Sequence, residues 1–178
     1  MVLSENSYGV FAVKLDLKSV FEVEGENLEL SLSLDLSDLE LLGTLPFPEP
    51  VEVRLRVANG AGIVSLSLDA VFLYRAPCDR CAAMAEKRMA IHADHTLVAQ
   101  LQGAKDEEDE FLVVEDMRLD VDALATEEIL LRLPSRFLCR EDCRGLCPVC
   151  GVDLNTGECT CVGKTVDPRL EKLRDLLP

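Results

Sequence analysis

Eight cysteines are the residues of this chain whose type and spacing could do chemistry. Six of them fall in the run CREDCRGLCPVCGVDLNTGECTC, from Cys139 to Cys161, and Cys78 and Cys81 form a separate C-x2-C far upstream. Cys147-Pro148-Val149-Cys150-Gly151 has the form of a metal knuckle. Two thiolates three positions apart can point into one tetrahedral site, and the glycine lets backbone N–H groups turn toward the sulfurs. Cys159-Thr160-Cys161 follows a polar loop over 153–157 and supplies a second half-site. Cys147, Cys150, Cys159 and Cys161 can therefore build a complete four-thiolate shell from one local segment. Cys78, Cys81, Cys139 and Cys143 also have the ligand count and spacing of a structural zinc, but its halves lie far apart in the chain.

Disulfides, free thiols and an iron–sulfur cluster would use the same residues. Met1-Val2-Leu3-Ser4-Glu5 lacks the basic start and apolar core of a secretory signal, so a reducing, cytoplasmic setting is expected. There, C-x2-C pairs belong to metal sites rather than to disulfides. Neither pair stands between a buried strand and a long helix, as a thioredoxin-type redox pair does. Spacing alone does not separate zinc from an iron–sulfur cluster. The short ribbon-like spacing suits Zn2+, and two such ions are expected. A shell of four thiolates leaves no open position for water or substrate, so these metals would hold the fold rather than catalyse.

Several motifs resemble the bacterial YceD family of large ribosomal RNA subunit accumulation proteins. Cys78-Asp79-Arg80-Cys81 is similar to that family's C-x-R-C element. Glu127-Glu128-Ile129-Leu130-Leu131-Arg132-Leu133-Pro134 resembles its acidic-aliphatic helix ending in Leu-Pro. The likeness continues through Cys139–Gly151, Leu154-Asn155, Cys159 and Cys161, and closes on Asp167-Pro168-Arg169-Leu170. The resemblance implies a role in making or accumulating 23S ribosomal RNA, with no catalytic reaction. Its implied partner is a ribosomal protein or a large-subunit ribosomal RNA precursor. It also favours the two four-sulfur groupings given above.

Charge bears on the partner. The chain carries 33 acids against 18 bases, a net of −15. Residues 1–114 hold 20 acids and 9 bases, and residues 115–178 hold 13 and 9. Such a surface repels a phosphate backbone, which argues against broad, non-specific RNA binding. One local exception is the recurrence of Arg132, Arg136, Arg140 and Arg144 every four residues. Pro134 prevents one continuous helix there, so ordinary pairing with Glu128, Glu141 and Asp142 competes with a small basic patch for RNA or an acidic partner. Asp106, Glu107, Glu108, Asp109 and Glu110 form an acid block that reads as an extended loop or as a lure for a basic partner. The chain has no Gly-rich phosphate loop, H-E-x-x-H or G-x-S-x-G, and only His92 and His95 could serve a cysteine nucleophile. No enzyme is expected. The remaining readings are a zinc-stabilised module with a partner outside ribosome assembly and, last, a metal-dependent nuclease.

The elements that must position the cysteines are mostly strands. Residues 8–17, 28–36, 51–57, 63–74 and 85–99 alternate between apolar and polar side chains, with a short strand at 111–114. Ala58-Asn59-Gly60-Ala61-Gly62 reads as a tight turn, with Asn-Gly as its signal. Cys78 and Cys81 then sit at a hairpin tip, and three prolines in 45–50 mark an irregular link. Alternation puts His92 and His95 on different faces, with His92 at the surface. A helix over 121–133 starts at Asp120 or Asp122, carries Glu127 and Glu128 on its solvated side, and stops near Pro134. Asp167-Pro168 opens a second, leucine-striped helix over 168–177. No apolar run is long enough to span a membrane. The expected architecture is α+β: an antiparallel, strand-rich body over 1–138, as a curved sheet or open barrel, with a cysteine-rich segment and short helix over 139–178 docked on it.

Overall fold

The computed structural model describes residues 2–5, 11–99 and 111–161. The acid block 106–110 and the expected helix over 168–177 lie outside them. In chain order the elements are strands β1 (Val2–Glu5) and β2 (Phe11–Asp16), helix α1 (Lys18–Glu22), strands β3 (Asn27–Leu34), β4 (Val51–Gly60), β5 (Ile63–Pro77), β6 (Met84–Val98), β7 (Leu112–Val113) and β8 (Arg118–Asp120), and helix α2 (Val121–Leu131). The class is α+β, dominated by antiparallel strands. The strands form two open sheets, ordered β1-β2-β8 and β3-β4-β5-β6-β7, and neither closes into a barrel. Among the described residues the one parallel pairing is β6 with the two-residue edge strand β7.

Alternation dictates the large sheet. In β4, Val51, Val53, Leu55 and Val57 are buried while Glu52, Arg54 and Arg56 are exposed, so every second side chain enters the core. Helix α2 covers that inner face with Val121, Leu124, Ala125 and Ile129. The Asp120 carboxylate accepts from Ala123 N at 3.0 Å and caps the helix. Asp122 does something else: it accepts from Val13 N of β2 at 3.0 Å, tying the helix to the small sheet.

Three local readings change. The hairpin turn is not Asn-Gly: Gly60 already pairs with Ile63, and Ala61 and Gly62, at φ 53° and 82°, make the two-residue turn. Asn59 is instead buried, its amide donating to Val20 O at 2.8 Å while its Oδ1 accepts from Gly62 N at 3.1 Å. The Pro-rich link makes no ladder, yet Phe47 within it is fully buried, edge-on to Phe72 at 5.5 Å between ring centres. Helix α2 ends at Leu131, short of 133. Glu128 is not solvated: it is 4% exposed, 3.0 Å from His95 Nε2 (a contact not aligned as a hydrogen bond) and paired with Arg132. Its neighbour Glu127 does face water, because successive helix positions point about 100° apart.

Candidate metal centres

The β5–β6 hairpin delivers the first two sulfurs. Its ladder runs to Pro77 opposite Met84, and the chain then turns through residues 78–83. Cys78 N donates to Ala83 O at 2.9 Å and Ala82 N to Cys78 O at 2.8 Å, which curls the tip around its own cysteines. Arg80 N points at Cys78 Sγ from 3.5 Å.

The chain after α2 brings the other two. Asp79 grips it twice, donating its N–H to Phe137 O at 2.9 Å and accepting from Phe137 N at 2.6 Å through its carboxylate. Arg80 grips it again: its Nη1 donates to Cys143 O at 2.6 Å, and its own carbonyl accepts from Leu146 N at 3.0 Å. These contacts place Cys78 Sγ 3.8 Å from Cys143 Sγ and Cys81 Sγ 3.7 Å from Cys139 Sγ. Cys78, Cys81 and Cys143 are buried and form a small core of their own with Leu138 and Cys139.

The second quartet is local. Leu146 bridges Asp153, Cys147 N donates to Val152 O at 2.9 Å and Gly151 N to Cys147 O at 2.9 Å, so the knuckle is a minute hairpin. Gly151 has φ +74°, the left-handed backbone such a turn requires. Val149 N points at Cys147 Sγ from 3.4 Å, as Arg80 N does at Cys78. Cys159 Sγ lies 3.3 Å from Cys147 Sγ and 3.6 Å from Cys150 Sγ. Cys150 and Cys161 are exposed.

In each quartet all four sulfurs lie within 4.8 Å of one another, and each could hold a metal ion. The residues fit one. A tetrahedral ion with metal–sulfur bonds of about 2.3 Å sets its sulfurs about 3.8 Å apart. None of the eight cysteines is in a disulfide. The N–H groups aimed at sulfur favour thiolate: Cys78 is drawn down to about 6 by the backbone N–H of Cys139, aided by those of Arg80 and Cys81. Cys147 is drawn down to about 6 by the N–H groups of Cys150 and Val149. Their companions resist a second charge in the same small volume. Burial and then the neighbouring thiols push Cys139 up to about 12, and contacts with Cys159 and Cys150 push Cys161 up to about 12.

This stretch of chain matches a family model. The model for the large ribosomal RNA subunit accumulation protein YceD covers residues 66–177, more than half of the chain, and takes in all eight cysteines. The chain belongs to the YceD family. An uncharacterized protein of Mycobacterium bovis is 37% identical over 103 residues, which is 56% of this chain and 49% of the relative. Uncharacterized proteins of two Mycobacterium tuberculosis strains match to the same extent. The chain thus spans about half the length of these relatives. No solved structure matches it.

Within this YceD-family chain the four arginines lie past the last helical residue of α2, Leu131, so no one helix carries them. Arg132 is engaged by Glu128 and by His92 O at 3.1 Å, and Arg140 by Asp142 at 3.3 Å and Asn155 Oδ1 at 2.8 Å. Arg136 and Arg144 are exposed, with no ion pair among the described residues. Asn155 is a residue whose role spacing could not reveal. Its Oδ1 also accepts from Arg144 N at 2.8 Å, and its amide nitrogen reaches Cys143 Sγ at 3.5 Å and Asp153 Oδ1 at 2.7 Å, joining the loop of one quartet to a sulfur of the other. The sequence marks Arg80 as the arginine of the C-x-R-C element and Asp79 as the residue before it, but not the contacts either makes. Among the described residues no helix is long and apolar enough to cross a membrane.

Proposed function

We propose that this protein is a non-enzymatic factor supporting the accumulation of 23S ribosomal RNA, held in shape by two structural Zn2+ ions and acting by binding. The observation that carries this reading is the YceD match over residues 66–177, which contains both sulfur quartets. Four thiolates per ion leave no coordination position for substrate, which supports structural rather than catalytic metals. The closeness of the sulfurs supports a single ion per quartet, since the ligands of an iron–sulfur cluster stand on different iron atoms.

The proposed partner is a ribosomal protein or a large-subunit ribosomal RNA precursor in the cytoplasm. Arg136 and Arg144, with Arg132 and Arg140 beside them, are proposed to meet phosphate or an acidic surface. The block Asp106, Glu107, Glu108, Asp109 and Glu110 is proposed to meet a basic ribosomal protein, in an association that weakens as salt rises. Residues 139–178 are read as a cysteine-rich unit docked on a body of 1–138, a reading supported by the grip of Arg80 on Cys143 and Leu146.

The test is purification of tagged protein from cells at low salt, with mass spectrometry and RNA sequencing of what comes with it. Ribosomal proteins or 23S precursors should be recovered, and depletion of the protein should lower 23S relative to 16S RNA. Recovery of neither, with an unchanged RNA ratio on depletion, sinks the reading.

A further inference from the structure

Strand β3 is the outer edge of the five-stranded sheet, and among the described residues nothing pairs with its far side. The direction of its unpaired groups follows from the neighbouring hairpin. Gly60 and Ile63 close a two-residue turn, so the even residues of β4 bond to β5 and the odd ones to β3. Val51, Val53, Leu55 and Val57 oppose Leu34, Leu32, Leu30 and Leu28. The N–H and C=O groups of Asn27, Glu29, Ser31 and Ser33 therefore point outward, and these four residues are exposed. Natural edges of this length are blunted by charged side chains, above all lysine, by proline, by a bulge, or by a covering helix or loop. Over eight residues β3 has no proline, no glycine and a single charged residue, Glu29. Its inner-facing Leu28, Leu30 and Leu32 are only half-buried.

We propose that β3 pairs antiparallel with β3 of a second copy of this chain across a two-fold axis, joining the two large sheets. The sequence Leu28-Glu29-Leu30-Ser31-Leu32-Ser33-Leu34 reads nearly the same in both directions, so leucine meets leucine on the inner face and polar meets polar outside. Charge selects the register. A two-fold centred on Leu30 or Ser31 sets Glu29 opposite a serine. Centring on Glu29 would oppose two glutamates, and centring on Leu32 would oppose Glu29 to Asp35. Strand β3 lies outside the residues that the family model matches, so this pairing does not rest on the proposed function. The net charge of −15 on each copy opposes association, so the dimer tightens as salt screens it.

Sedimentation equilibrium of the metal-loaded full chain at low and high salt tests this. A dimer is expected whose dissociation constant falls as salt rises. Ser31→Pro removes an N–H that faces away from β4, so the chain keeps its circular dichroism and melting while dimerisation weakens by on the order of 100-fold. Ser31→Glu opposes glutamate to glutamate in either register, and its dimer should recover partly at high salt. A wild-type chain that stays monomeric at ~100 µM in both salts overturns the proposal, taking ~100 µM as an ordinary limit for a specific interface. So does a dimer indifferent to both substitutions, or an edge found occupied by a different protein.

Discussion

Cys78 Sγ and Cys143 Sγ lie 3.8 Å apart although 65 positions separate them in the chain. That approach joins the tip of the longest hairpin to the segment after α2. The other quartet spans only Cys147 to Cys161 and closes within one loop. The two sites should therefore fail differently.

Cys143→Ser and Cys150→Ser should each lower bound zinc by one ion per chain, read by elemental analysis. Cys143→Ser should also lower the stability of the whole chain by ~3 kcal/mol or more, because it opens a buried sulfur core that ties distant segments. Cys150→Ser should loosen residues 147–161 and move the main melting transition by less than ~1 kcal/mol. Chelation of the wild-type protein should reproduce the sum. Equal effects on melting would contradict the distinction.

Gly145 and Gly151 make a matched pair of probes. Both have positive φ, but a Cβ on Gly145 would stand 2.8 Å from Arg80 O, whereas Gly151 has open space. Gly151→Ala should cost ~1 kcal/mol of backbone strain. Gly145→Ala should cost ~2–4 kcal/mol, since it adds a backbone clash to that strain, and it should weaken metal retention by the Cys78 quartet. Denaturant melts with a chelator competition read both numbers.

Glu128 and Glu127 offer a second contrast on adjacent positions. Glu128→Ala should destabilise by ~1–3 kcal/mol, leaving the half-buried His95 and the exposed Arg132 without their carboxylate. Glu127→Ala should stay within ~0.5 kcal/mol, as exposed helix substitutions do. A comparable loss from both would mean that Glu128 gains nothing from its burial.

His92 should titrate above its ordinary 6.5, because Asp69 and then Asp94 accept from its ring at 2.8 and 3.0 Å. A raised folded-state value means that the imidazolium's contribution is complete below about pH 6.5 and fades as pH rises through the elevated value. Proton NMR of the His92 ring should give that midpoint, and Asp69→Asn should bring it back toward 6.5. A midpoint at or below 6.5 in the wild type would show the two carboxylates to be disengaged in solution.

How far the chain could be read without coordinates depended on whether a residue's role was local. Strands β4 and β5, the hairpin tip bearing Cys78 and Cys81, and the local grouping of Cys147, Cys150, Cys159 and Cys161 all follow from neighbours within a few positions. Phe47 was hidden in a proline-rich link because burial there depends on Phe72 and Tyr74 from a different strand. Asn59 looked like a turn residue until the backbone of Val20 claimed its amide. Glu128 looked like an ordinary helix carboxylate until β6 placed His95 against it.

The order of residues alone determined alternation, the thiolate spacing and the family, since each is written in short-range pattern. Tertiary structure decided what that pattern leaves open: which segment answers the Cys78 pair, which acid is buried, and which strand ends up at an edge. Those outcomes come from long-range packing, where Asp79 and Arg80 must meet Phe137 and Cys143 across a fold that no local period encodes.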